Sequence, residues 1–267
     1  MMHKVFAIVR RDALFDFAYP IPFALQFIGI IVGVSAFHFV SKLVPPSRSL
    51  GVHGHKSTYF AYAVINVAFM VLQTNAIQAF AKTLRRDQML LVIEPIFVTP
   101  TPVELVVFGA GLWKVLLSAV QVIIYLGTAA LLFHLDLHGT NITTLTVFTL
   151  LSLVCMSAIG IIGAGIVIYS KQEPPSNFLV GGAASMLAGV LFPVALLPAP
   201  LRVISWLLPI THALAGMRAA VAGAQITQVA GEAIWLAVAT AVLVPVALFA
   251  FSRMIDRARA DGTLASY

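Results

Sequence analysis

Charge is scarce in this sequence. Of 267 residues, only 10% are Asp, Glu, Lys or Arg, while 60% are hydrophobic. A soluble domain carries roughly 25% charged residues, so about 40 charged positions are missing. That shortfall excludes a cytosolic enzyme, a disordered chain and a fibrous protein, and leaves an all-α, polytopic membrane protein. Cysteine is nearly absent: Cys155 stands alone inside an apolar block, so no internal disulfide can form. Catalytic signatures are missing too. No GxSxG, HExxH or CxxC occurs, and no GxxxxGK(S/T) loop is present to cradle ATP phosphates. The ten acidic residues fall in loops or at the ends of apolar runs. Proton- or sodium-coupled carriers hold ionisable groups within their spans, which weighs against a self-contained channel or ion-coupled carrier. The formal charge of +6 comes from basic residues scattered between apolar blocks. That distribution marks membrane topology and not nucleic-acid binding.

What is present is a series of long apolar runs. A bilayer core of about 30 Å needs about 20 helical residues, and unsatisfied backbone groups in lipid force helical structure. Six spans are predicted: Ile21 to Val44, Tyr59 to Phe80, Leu105 to Phe133, Leu145 to Tyr169, Phe178 to Leu197 and Ala233 to Phe251. With both termini in the cytoplasm, inner segments hold ten Lys and Arg and outer segments five, with Lys114 inside the third span. The positive-inside rule favours that orientation. At the N-terminus, Arg10, Arg11, Asp12 and Asp16 interrupt the apolar residues, so a cleavable signal peptide is not expected. Residues 1–20 form instead an interfacial helix with Phe6, Val9, Ala13 and Phe17 on one face and Lys4 and Arg11 opposite. Between the last two spans, Pro198, Pro200 and Pro209 break an apolar stretch too short to cross. Two short re-entrant helices in the outer leaflet fit it.

Few polar residues lie within the spans. Lys114, Ser118, Gln121 and Tyr125 share one face of the third span, either lining a path or accompanying a snorkelling lysine. Asn66 and Gln73 form a similar pair on the second span, where packing between helices is the ordinary role of an amide. His38, His53, His55, His134 and His138 cluster near the outer face but fix no tetrahedral metal geometry, so no metal site is assigned. Gly160 and Ala164, like Gly181, Ser185 and Gly189, recur at the four-residue spacing that lets helices approach closely. An intramembrane enzyme would have to rely on His212 or Lys114.

Two stretches carry a more specific pattern. MLLVIEPIFVTPTPVELVVFGAGLWK, from Met89, joins an apolar run to an acidic residue, Thr-Pro steps and glycine. FPVALLPAPLRVISWLLPITHALAGMRAAVAGA, from Phe192, carries Phe-Pro, Leu-Pro, Leu-Pro-x-Thr-His and Gly-x-Arg. In this order these resemble the permease subunits of type-2 ABC exporters. The resemblance implies an interfacial helix at 1–20 and a six-span domain at 21–267. It places a coupling loop at 81–104, a re-entrant outer hairpin at 193–224 and a cytoplasmic tail at 252–267. Arg85, Arg86, Asp87, Met89, Leu90, Leu91, Ile93 and Glu94 would dock a separate ABC ATPase, with Leu84-Arg85-Arg86-Asp87-Gln88 departing from the family's Glu-Arg-Glu-like run. Lys114, Gln121, Asn66 and Gln73 are candidates for the substrate path, and Pro193, Pro209, His212 and Arg218 for the outer gate. The implied assembly is two copies of this chain with two ATPases in a bacterial inner membrane. The ATPases bind ATP and magnesium, and this chain binds no cofactor. An amphiphile, whether drug, lipid or lipid-linked glycan, would be the cargo.

Overall fold

A computed structural model of the chain describes residues 2–43, 50–52, 55–57, 59–90, 103–135, 137–170 and 184–260. The order is α1 (Met2–Ala18), α2 (Pro20–Leu43), β1 (Leu50–Val52), β2 (His55–Ser57), α3 (Tyr59–Met89), α4 (Val103–Phe133) and α5 (Ile142–Ser170). Then come the single turn α6 (Ala184–Leu187), α7 (Ala199–Leu207), α8 (Pro209–Val221) and α9 (Ala230–Ala260). The two strands pair as a small antiparallel hairpin, the one departure from an all-α chain among the described residues. Among the described residues, five segments are long and apolar enough to cross a bilayer: α2, α3, Gly111–Phe133 of α4, α5, and Ile226–Ala258 around α9. The bent pair α7–α8 makes a sixth if taken as one broken span.

α3 runs through the middle of the bundle, packed by α2, α4, α5 and α8. Its small residues Ala63, Ala68 and Ala76 are completely buried, so neighbouring backbones close on it. At Gly160 of α5 an added Cβ would lie 2.6 Å from the Ile77 carbonyl oxygen of α3, and only glycine permits that approach. α2 is peripheral. It buries Ile30 and Val34 and turns Leu25, Ile28 and Val32 outward, as a lipid-facing helix does.

α3 and α4 have 31 residues each. That is about 46 Å of helix, longer than the hydrocarbon slab, so turns project beyond it. At one end, here called the base, Phe80 and Leu84 of α3 pack with Ile168 of α5 and Phe251 and Ile255 of α9. α1 lies at the same end against α4.

Two expectations are corrected. The fifth span was to continue as helix to Leu197, but 178–183 lie outside the described residues and the helix ends at Leu187. The chain then turns through Gly189, whose φ of 74° favours glycine, and reaches Pro193 ahead of a single 3-10 turn at Val194–Leu196. The other correction concerns α1. Its face bearing Phe6 and Phe17 is exposed, and opposite it Lys4 is exposed too, but Arg11 is only partly so and Ile8, Asp12, Phe15 and Asp16 turn toward the bundle.

The break between α7 and α8 falls where the prolines place it. The two axes meet at 82°. Leu208, with φ −81° and ψ 125°, is held extended by the following Pro209, which opens α8 as its first residue.

Candidate functional site

The base of the bundle is joined by charge. Asp12 and Asp16 stand four residues apart on α1, so they share one face. Arg11 Nη2 donates to Asp12 Oδ1 at 2.9 Å and to Asp87 Oδ2 at 2.6 Å. Arg86 Nη2 donates to Asp12 Oδ1 at 2.8 Å and to Asp87 Oδ1 at 2.9 Å. Two arginines and two aspartates thus alternate in a closed clasp between α1 and the end of α3. The Arg86 guanidinium also sits 4.6 Å over the Phe15 ring. Asp12 is 1% exposed, and its Oδ2 has no hydrogen-bond partner among the described residues. Burial pushes its carboxyl above the ordinary range, while Arg11 and Arg86 pull it down.

One turn along, Asp16 binds α4. Lys114 Nζ donates to both Asp16 oxygens at 2.8 and 2.7 Å, and Trp113 Nε1 donates to Oδ2 at 2.7 Å. Lys114 is therefore anchored to α1 and also lines the cavity beside it.

That cavity, of about 590 Å³, lies between α1, α2, α3 and α4. Its floor carries Asp16, Lys82, Arg86 and Lys114, and amides of three helices cross its middle. Asn75 Nδ2 donates to Gln121 Oε1 at 2.8 Å, and Gln121 Nε2 donates to Gln26 Oε1 at 3.2 Å. Ile30, Val71 and Leu117 give the remaining wall its apolar character.

A family model for the ABC-2 type transporter matches residues 5–222. The chain belongs to the ABC-2 type transporter family. No curated protein matches it. As an ABC-2 membrane component it is a multi-pass permease, and the clasp and cavity belong to that permease.

Of the four path candidates in this ABC-2 permease, Lys114 and Gln121 line the cavity together. Asn66 and Gln73 do not join them. Both are fully buried on α3, and among the described residues neither amide has a hydrogen-bond partner. Ser118, on the predicted stripe, bonds the Val115 carbonyl of its own helix at 2.7 Å. The gate candidates also separate. Pro193 precedes the 3-10 turn and Pro209 begins α8. His212 stacks on Trp235 with ring centroids 4.3 Å apart, and its Nε2 lies 2.8 Å from the Trp206 carbonyl oxygen. Arg218 donates from Nη1 to the Tyr62 hydroxyl and the Gly189 carbonyl, both at 3.1 Å, tying α8 to α3.

Of the docking candidates, Leu91, Ile93 and Glu94 lie outside the described residues. Met89 and Leu90, at the end of α3, are 66% and 53% exposed. Arg85 follows the same helix surface, while Arg86 and Asp87 are engaged inside the chain by the clasp. Among the described residues, no group of three His, Cys, Asp or Glu could hold a metal.

The clasp is what sequence reasoning missed. A signal was there: the tripeptide Arg-Arg-Asp occurs twice, at Arg10-Arg11-Asp12 and at Arg85-Arg86-Asp87. Each copy's second arginine binds the other copy's aspartate, so the two tripeptides embrace reciprocally.

Proposed function

We propose that this chain is the permease subunit of an ATP-driven exporter, with its base in the cytoplasm. Two copies would work with two ABC ATPases to move an amphiphile out of the cytoplasm or the inner leaflet. The observation that carries this reading is the end of α3. A helix clasped to α1 by four buried or half-buried charges ends in the exposed pair Met89 and Leu90. The apolar run continues in sequence as Leu91, Val92 and Ile93. An apolar segment leaving a rigid helix at a membrane surface needs a protein or lipid cover. A groove on the ATPase supplies one, and the clasp gives a push on that segment a stiff lever. ATP would supply the free-energy difference between the two access states, since no ligand shifts an equilibrium it does not bind differentially.

The excess of Lys and Arg on segments at the base supports the sidedness. The chain is expected to copurify with an ATPase carrying a phosphate loop. Leu91→Asp or Ile93→Asp should lower that copurification at least ten-fold while the permease still extracts as a folded monodisperse species. Undiminished copurification of both variants would place the docking site elsewhere. Flux driven by a proton or sodium gradient without ATP would favour a carrier instead.

A further inference from the structure

We propose that the basal cavity binds the phosphodiester headgroup of an anionic lipid, with Lys82 as its counter-cation. The inference deepens the permease reading by naming the class of amphiphile, and it rests on that reading only for the idea that the bound lipid is cargo.

The charges around the cavity do not balance. Arg11, Arg86 and Lys114 are matched by Asp12, Asp16 and Asp87, each within an ion pair. Lys82 is the remaining cation of the cavity, and among the described residues it forms no ion pair or hydrogen bond. The site therefore carries one unmatched positive charge. Gln78, one helical turn before Lys82 on the same face of α3, is likewise without a partner among the described residues. Together they place an ammonium with three N–H donors and an amide with two on the lining of one cavity.

The sign of the ligand follows from the same residues. A zwitterionic headgroup brings its own cation, which would need a counter-charge beside Lys82. The carboxylate in the cavity, Asp16, has both oxygens occupied by Lys114 and Trp113. A headgroup with a single net negative charge and no cation fits, and a phosphodiester keeps that charge throughout the physiological pH range.

The walls change in character along the cavity. From the base inward, α3 presents Lys82, then Gln78 and Asn75, then Val71, and α4 presents Lys114, then Leu117, Gln121 and Tyr125. Charge gives way to amide and aliphatic surface within one cavity of about 590 Å³. That volume lies in the range of small-molecule sites. The order matches a lipid with its headgroup at the base and its chains toward the membrane interior. Free phosphate would leave the aliphatic wall unused.

The test uses the full chain in nanodiscs of equal phosphatidylglycerol and phosphatidylcholine, with retained lipids counted by native mass spectrometry. Wild type is expected to retain phosphatidylglycerol preferentially. Lys82→Gln should lower that preference about five-fold, the effect of one cation near a lipid surface. Gln78→Leu should lower it less, and Arg10→Gln, an exposed cation outside the cavity, should leave it unchanged. Millimolar inorganic phosphate should not displace the lipid. Equal retention of both lipids by wild type, an unchanged preference in Lys82→Gln, or displacement by inorganic phosphate would each overturn the proposal. None of these readouts involves the ATPase, so copurification of the partner with no lipid preference would remove this inference and leave the permease reading standing.

Discussion

Asp87→Ala is expected to lower the stability of the permease by about 3 kcal/mol or more, because it leaves two arginines facing a single aspartate in a largely dry site. The Asp87 side chain is 5% exposed and touches both Arg11 and Arg86, so little water can replace it. The measurement is the unfolding midpoint in detergent, which should fall by several degrees. The companion is a double variant, Arg11→Met with Asp87→Leu. It keeps Arg86 paired with Asp12 and fills the vacated space with apolar atoms, and it should recover most of the loss. A double variant as unstable as the sum of its parts would show that the clasp is not what Asp87 supports. In the assembled transporter, the single variant should also hydrolyse ATP without matching transport, because α1 and the end of α3 no longer move as one body.

The next largest effect concerns helix spacing. Gly160→Ala should cost about 2 kcal/mol, an overpacking penalty. The new methyl would sit 2.6 Å from the Ile77 carbonyl and 3.0 Å from that of Ala76, and backbone oxygens in a helix cannot step aside. Gly216→Ala provides the contrast. There the obstacle is the Phe148 ring, 2.0 Å away at its nearest atom. A side chain can be exchanged, so Phe148→Leu should partly rescue Gly216→Ala, whereas no single side-chain change near Ile77 should rescue Gly160→Ala. Thermal midpoints of the four variants decide it, and rescue of Gly160→Ala by Ile77→Ala would contradict the backbone explanation.

These two effects also mark what was legible in the sequence. Span existence was, because bilayer thickness sets a minimum apolar length that soluble loops do not reach by chance. Span ends were less so: α3 continues to Met89, since a helix does not stop where its apolar residues do. The fracture at Leu208-Pro209 was legible because proline acts locally through its own ring and its predecessor's backbone. So was the small-residue spacing at Gly160. The identity of ion partners was not. Asp12 is adjacent to Arg11 in sequence, yet it also binds Arg86, 74 residues away, and only the packing of α1 on α4, beside the end of α3, brings them together. The protein-facing side of α1 was misjudged for the same reason: its charges look solvated until their counter-charges arrive from other helices. Lys114 and Gln121 were found as a polar stripe, while Asn66 and Gln73, of identical chemistry, proved to be buried elsewhere on α3. Amide spacing alone does not distinguish a cavity wall from a packed core.

In the proposed exporter the base faces the cytoplasm and is gripped there by an ATPase. Leu90→Cys tests it most directly. The native thiol, Cys155, is buried, so replacing it with serine leaves the new cysteine as the single reporter at the exposed end of α3. A membrane-impermeant thiol reagent should label inside-out vesicles and spare intact cells, and a short cross-linker should join this position to the phosphate-loop ATPase. Labelling from the outside of intact cells, or a cysteine that cross-links only to lipid in the presence of that ATPase, would contradict the account.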